Sequence, residues 1–174
     1  MCSSDLAGPV HLPTPLGVRR VDVQSALQMQ AAVQAEVGAA TIFIAAAAVA
    51  DWRPASSAEH KIKKDGSGKT PELQFVENTD ILATVAQSAR ARGGELFCVG
   101  FAAESRNLDE YAEGKRKAKK LPLIVGNLVQ DGLGGDDNEV VLFDAAGRHP
   151  LPKAPKPEVA RAIVAHLAAL LPKI

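Results

Sequence analysis

The sequence is poor in aromatic residues, which make up 4% of its 174 positions. Its core must therefore be built from alanine, valine, leucine and isoleucine. Cysteine is almost missing, with only Cys2 and Cys98 present. That excludes a disulfide framework and makes a reducing cytoplasm the expected compartment. Cys98 lies in the apolar run Leu96-Phe97-Cys98-Val99 and reads as a buried free thiol. Neither sign of charge is in excess, because 20 Lys and Arg offset 20 Asp and Glu. A net charge of zero argues against a general role on nucleic acid or on a membrane surface, so any basic site is local. No apolar stretch is long and clean enough to span a bilayer. The N-terminus lacks the basic-then-apolar order of a signal peptide. No G-x-G-x-x-G turn occurs, and the four histidines (His11, His60, His149, His166) lack the spacing of a metal site.

What is present is an alternation of helix-like and strand-like segments. Ser25 and Gln28 have capping-box form, and Leu27, Ala31, Val33 and Val37 supply the apolar face of a helix. Residues 41–48 read as a strand buried on both faces, and residues 72–76 alternate like a half-exposed strand. Asn78-Thr79-Asp80 caps a helix that runs to about Arg92, where Gly93-Gly94 stops it. Residues 96–101 form a second buried strand, and Asn107 opens a helix that ends before Pro122. Residues 123–127 are a third buried strand. Residues 139–143 are a fourth, antiparallel at an edge or in a hairpin turned at Ala145–Gly147. Pro157 suits the first turn of a last helix through about Leu171. Loops are expected at 53–70 and 130–138.

This order predicts an α/β protein: a Rossmann-like three-layer sandwich with a mainly parallel sheet. A doubly wound fold opens with a strand and a glycine-rich turn. Here Gly8-Pro9-Val10-His11-Leu12-Pro13-Thr14-Pro15 reads as a late strand and loop, so the first βα unit is missing from the expected fold. Residues 1–7 fit no element and are expected to be a leader outside the domain, which would span residues 8–174.

The most informative stretch is residues 44–64. An apolar run ends in small residues and then Asp51, and a loop follows with Lys61, Lys63 and Lys64. Ligands of open α/β sheets bind at strand carboxyl ends, and small residues there let a ligand approach the backbone. A basic loop beside them suits a polyphosphate. Taken alone, the same lysines also read as a solvated basic loop.

Several segments, in order, carry a family resemblance. They are residues 8–15; Val21-Asp22-Val23 with Ala26 and Met29; residues 46–53; Lys61-Ile62-Lys63-Lys64; and residues 78–82. Then come Val99-Gly100-Phe101-Ala102-Ala103-Glu104, Lys115 with Lys119, and Ile124-Val125-Gly126-Asn127. Together they resemble bacterial phosphopantothenate–cysteine ligase, often the C-terminal half of a bifunctional protein of coenzyme A biosynthesis. The resemblance implies ligation of 4′-phosphopantothenate to cysteine at the expense of CTP, through an acyl-cytidylate. It implies Mg²⁺ carried with CTP, FMN only in an absent decarboxylase half, and a homodimer. No nucleic-acid or membrane partner is implied.

The resemblance also implies site residues. Lys61 would be the catalytic lysine over the triphosphate, with Lys63 and Lys64 adding only positive potential. Ala45, Ala46 and Ala47 would give CTP close backbone access, and Ala48 would lie beside the acyl group of the intermediate. Asp51 would contact CTP, its plain reading being a turn aspartate. Thr79, Asp80, Ile81 and Leu82 would meet CTP at a helix start, with Thr79 standing where the family usually has proline. Phe101 would flank the cytosine, although a core phenylalanine is the common outcome. Lys115 and Lys119 share a helix face by their i, i+4 spacing and would face phosphate. Trp52 stands where tyrosine is common and is expected to pack the loop base.

The family's glycine-rich first unit and its asparagine-bearing acyl-binding segment have no matching positions. The chain alone is thus expected to bind CTP with little turnover. A non-catalytic nucleotide-binding or dimerisation module is the alternative of another class, and a dinucleotide-dependent Rossmann enzyme is a third.

Overall fold

The computed structural model describes residues 3–171 apart from positions 57, 59, 64, 65, 67, 69, 71 and 133. The elements begin with β1 (Ser3–Ala7), β2 (Val18–Asp22) and α1 (Ala26–Glu36), followed by a 3₁₀ turn at Val37–Ala39. Next come β3 (Ile42–Ala45), β4 (Trp52–Pro54), β5 (Phe75–Glu77), α2 (Ile81–Ala86) and α3 (Ala89–Arg92). The order continues with β6 (Phe97–Glu104), α4 (Leu108–Lys119), β7 (Leu123–Leu128) and α5 (Val129–Gly132). It closes with β8 (Asp137–Asp144), β9 (Gly147–Pro155) and α6 (Lys156–Leu170). These elements fall into two units, Met1–Val33 with Ala48–Asp80, and Gln34–Ala47 with Ile81–Ile174. Among the described residues no helix is long and apolar enough to cross a membrane.

In the first unit β1 and β2 run parallel, Ser3 opposite Val18 through Ala7 opposite Asp22. The expected structureless leader is corrected here: its backbone pairs with β2, and Ala7 is buried. The connection is held by Arg20, which donates to the carbonyls of Leu12 and Val10 at 2.6 and 3.1 Å and meets Asp22 at 2.7 Å. The cap of α1 forms as expected, with the Gln28 N–H donating to Ser25 Oγ and the Gln24 N–H to Gln28 Oε1. Its buried positions are Met29 and Val33, however, and Leu27 is exposed. The short antiparallel pair β4–β5 sets Trp52 opposite Glu77 and Pro54 opposite Phe75. The strand expected at 72–76 is thus shifted to Phe75–Glu77, and Trp52 is exposed rather than packed. A further bond, Ala55 N–H to the Gln74 carbonyl at 2.8 Å, closes the base of the lysine loop.

The second unit holds a five-stranded sheet in the order β3-β6-β7-β8-β9. β3, β6 and β7 are mutually parallel, whereas β8 and β9 are antiparallel. The parallel character is confined to one side because β8 and β9 form a hairpin at Asp144–Gly147. One face buries Val99, Leu123, Val125, Val140 and Leu142 under Val159, Ile163 and Leu167 of α6. The other carries α2 and α4, seated against glycines. A Cβ on Gly100 would stand 2.8 Å from both Leu82 and Leu121, and one on Gly126 would stand 2.9 Å from Leu108 and 3.2 Å from Ala112.

Several expectations change in this unit. The strand expected to be buried on both faces is β3, which among the described residues pairs only with β6 at the sheet edge, and its Ile42 and Ile44 are exposed. The helix expected from residue 78 to 92 is broken into α2 and α3. Ser88 starts the second piece by accepting the Ala91 N–H, since serine offers the backbone an alternative to helical bonding. Arg90 then donates to the carbonyls of Val37, Gly38 and Ala40, tying α3 to the turn before β3. Asn107 precedes α4 in the left-handed region without a side-chain cap bond. The start of the loop expected at 130–138 lies instead in α5, Val129–Gly132. β9 was hidden by Pro150 and Pro152, which an edge strand tolerates.

Gly126→Ala is expected to destabilise the chain by about 1–3 kcal/mol, the usual cost of overpacking a core. Urea denaturation followed by circular dichroism measures this. A midpoint equal to the parent's would mean that α4 is not seated on the β7 backbone.

Candidate functional site

In the second unit the carboxyl ends of the parallel strands gather a defined group. Ala45 is the last residue of β3 and pairs with Gly100 of β6, and Phe101 pairs with Val125 of β7. Ala45 is half-buried, while Ala46 and Ala47 beyond it are exposed. Phe101 is half-buried and packs against the cluster beneath α6. Its core reading therefore holds, with part of the ring still accessible. Leu82 is buried over Gly100, so only its backbone is free to meet a ligand. Ile81 opens α2 beside it and is half-buried.

Lys115 and Lys119 continue the stripe of α4 that begins with Leu108 and Ala112, at spacings of 4, 3 and 4 residues. Long side chains on a helix lean towards its N-terminus. Lys115 does so, and its Nζ lies 2.7 Å from Oε1 of Glu104 at the end of β6. Glu104 is 12% exposed, and that oxygen accepts no aligned hydrogen bond, so the lysine meets it through charge. Lys119 is half-buried. The other cations of the helix are arranged differently. Arg116 donates to Glu113 at 2.6 and 2.8 Å, and Lys117 lies 3.4 Å from the same carboxylate. The Arg116 hydrogen bonds, with smaller help from Lys117, hold Glu113 down at about 2.

In the first unit the structure joins two of the expected segments. The Asn78 N–H donates to the Asp51 carbonyl at 2.7 Å, and Asn78 Nδ2 donates to Ala50 at 2.8 Å. Arg53 donates to Asn78 Oδ1 and to the Glu77 carbonyl, both at 2.9 Å. The turn at Asp51 is therefore clamped to the residue just before Thr79 and Asp80. Asn78 and Arg53 are the positioning residues that sequence reasoning missed. Asn78 had been read as a helix cap, and only its pairing across 28 residues reveals its role. Ala48, Asp51, Lys61, Lys63, Thr79 and Asp80 are exposed, and Lys64 lies outside the described residues.

Two histidines that are scattered in sequence meet in the fold. His149 and His166, 17 positions apart in sequence, both reach the buried carboxylate of Asp144, at 3.0 and 2.8 Å. Sequence spacing could not show this, because the β8–β9 hairpin and α6 bring the three together.

The sequence profile described as the DNA/pantothenate metabolism flavoprotein C-terminal domain matches residues 5–171. The chain belongs to that family. It is 45% identical over 162 residues to the coenzyme A biosynthesis bifunctional protein CoaBC of Vibrio cholerae, covering 91% of this chain and 40% of the relative. The CoaBC protein of Escherichia coli K12 is 46% identical over 151 residues, covering 84% of this chain and 36% of the relative. The crystal structure of a CoaBC C-terminal domain superposes with a TM-score of 0.77 at 30% identity, covering 97% of this chain and 74% of that one. The chain thus spans about two fifths of the length of the curated relatives it matches. The match begins at residue 5, inside β1, so part of the supposed leader belongs to the family domain.

The five-stranded sheet and the helices that cover it leave Cys98 buried, 1% exposed. Burial pushes its thiol up to about 11, so at neutral pH it is protonated and unfit as a nucleophile. In a Cys2→Ser background, Cys98 is expected to resist an aromatic disulfide reagent at pH 8 and to react fully in guanidinium chloride. Rapid labelling of the folded chain would contradict the burial.

Proposed function

We propose that the chain carries the CTP-dependent ligation of 4′-phosphopantothenate to cysteine, a step of coenzyme A biosynthesis. Membership of the family found in CoaBC proteins is the observation that carries this reading. In the reaction the carboxylate of 4′-phosphopantothenate attacks the α-phosphate of CTP, and pyrophosphate leaves. The amine of cysteine then attacks the acyl-cytidylate carbonyl, and CMP leaves. Such transfers rest on positioning and charge neutralisation rather than on a protein nucleophile, which agrees with the buried Cys98.

The roles we assign follow the chemistry of each residue. Ala45, Ala46 and Ala47 carry no side chain beyond Cβ, so a nucleotide can lie close to their backbone. Ala48 does the same for the acyl group of the intermediate. Phe101 offers a ring face to the cytosine. Lys115 and Lys119 supply charge to the triphosphate, and Glu104 at the end of β6 pairs with Lys115. Asp51 contacts CTP from the clamped turn, with Thr79, Asp80, Ile81 and Leu82 contributing main-chain groups. Lys61 is assigned the charge that develops as pyrophosphate departs.

Magnesium would enter with the triphosphate, keeping several of its waters, and would neutralise phosphate charge. The residues fit a carried ion: at the end of β6 the buried Glu104 oxygen meets the Lys115 ammonium rather than a further carboxylate. FMN has no place in this reading, and a homodimer in the cytoplasm belongs to it.

Calorimetry is expected to show tighter binding of CTP than of ATP in the presence of Mg²⁺. Equal affinity, or a preference for ATP, would count against the assignment. Turnover is read as cysteine-dependent CMP release with 4′-phosphopantothenate. It is measured on the chain alone and on a chimera completed with the rest of the Vibrio cholerae relative. In the active form Lys61→Ala is expected to slow pyrophosphate release by ~10²–10³-fold, the usual cost of removing one transition-state charge donor. CTP affinity should change much less. A rate within about threefold of the parent's, well short of that loss, would make Lys61 a solvated loop residue.

A further inference from the structure

We propose that Asp144, His149 and His166 form a site for one divalent transition-metal ion of the zinc class, at the end of the second unit's sheet opposite the strand carboxyl ends. The placement follows from topology. β8 is antiparallel to β7, with Phe143 opposite Ile124, so Asp144 lies at the amino end of β7. Leu142 pairs with His149 across the hairpin. His166 lies three residues beyond Ile163, on the stripe of α6 that is buried against the sheet.

The geometry suits a single ion. His149 Nε2 is 3.0 Å from Asp144 Oδ1, and His166 Nε2 is 2.8 Å from Oδ2. All three donor atoms lie within 4.8 Å of one another. An ion about 2.0–2.2 Å from each donor bridges such a gap with small side-chain rotations. The imidazoles are only 4.7 Å apart by ring centroid and tilted by 51°, so they converge from different directions. Asp144 is 3% exposed, against 37% and 23% for the side chains of His149 and His166. Solvent therefore reaches one side, where water can complete the coordination shell.

The donor set decides the class of ion. Two imidazole nitrogens and a carboxylate suit zinc, cobalt or nickel, whereas magnesium and calcium prefer all-oxygen shells. The carboxylate is already ionised. Burial acts to raise its pKa, but hydrogen bonds from His149, His166 and the Ala146 N–H outweigh this and leave it below the usual range. Ala146 and Gly147 also donate to Oδ1 from the backbone, at 2.7 and 3.1 Å, and so hold the carboxylate in place. Arg116 is near enough to feel Asp144, yet its own charge is matched by the two hydrogen bonds to Glu113. Without an ion each imidazole donates its Nε2–H to the aspartate. With one, the ring proton sits on Nδ1 and Nε2 coordinates. The ion would tie α6 to the hairpin turn.

Cobalt provides the probe. Co²⁺ titration of the whole chain, followed by visible d–d absorption, is expected to give one ion per chain, displaced by Zn²⁺ and not by Mg²⁺. His149→Gln and His166→Gln each keep a side-chain donor for Asp144 but lose the imidazole, and each should weaken Co²⁺ binding by more than about tenfold. Zn²⁺ should raise the melting temperature of the parent and not of the folded variants. Nitrogen-detected NMR of the parent needs no variant: Zn²⁺ should shift the Nε2 signals of His149 and His166 and leave those of His11 and His60 unmoved. The proposal is overturned if no stoichiometric cobalt spectrum forms. It is equally overturned if affinity survives in both variants, or if the NMR shifts fall on His11 or His60.

Discussion

The arrangement of the second unit depends on two missing side chains. At Gly100 and Gly126 the sheet presents bare backbone, and α2 and α4 lie so close that a Cβ at either position would meet a neighbour at 2.8–2.9 Å. Such contact fixes the height and rotation of α4 over β7. Leu108 and Ala112 become the residues that face the sheet, and the same stripe must then carry Lys115 and Lys119. The direction of the lysines is thus a consequence of packing, settled several residues away from them.

Packing also explains how the strand ends come to be furnished as they are. Ala45 is the last residue of β3 and Phe101 lies inside β6, three residues before its end, and both are half-buried. The fold then adds charge beside them. Glu104 would be costly as an isolated buried carboxylate, and Lys115 offsets that cost from the neighbouring helix at 2.7 Å. A cleft lined by Leu96, Cys98, Lys120 and Leu121 opens at the opposite, amino ends of β6 and β7. It lies away from the proposed nucleotide contacts at Ala45 and Glu104.

Local sequence reported these features unevenly. The parallel strands of the core were legible because Leu123, Ile124 and Val125 are apolar on both faces, as a sheet covered by helices requires. The edges were not. β3 looks like a central strand by composition, but composition cannot tell how many neighbours a strand has. β9 looks like a loop because its prolines forbid central pairing while permitting an edge. Within the candidate site the lysine stripe was visible as spacing, and Lys61 as part of a motif. The clamp through Asn78 and Arg53 was not visible, since it joins residues 24–28 positions apart, mostly by bonds to backbone carbonyls that every residue possesses. The Asp144 cluster escaped for the same reason: convergence of three elements leaves no periodic trace.

The lysine-rich helix shows what a structure adds to such a pattern. Five cations in six positions, Lys115 to Lys120, read equally well as a solvated face or as a phosphate-binding face. The structure sorts these cations by their partners. Arg116 and Lys117 share Glu113, a local pair that needs no ligand and acts mainly within one helical turn. Lys120 leaves the helix in the left-handed region and caps it through the carbonyls of Arg116 and Lys117. Lys115 instead crosses to Glu104 on the sheet, and that tertiary pair sets its ammonium at the strand ends. Under the proposed phosphate contact, a lysine already held in place would lose less conformational freedom when the anion arrives.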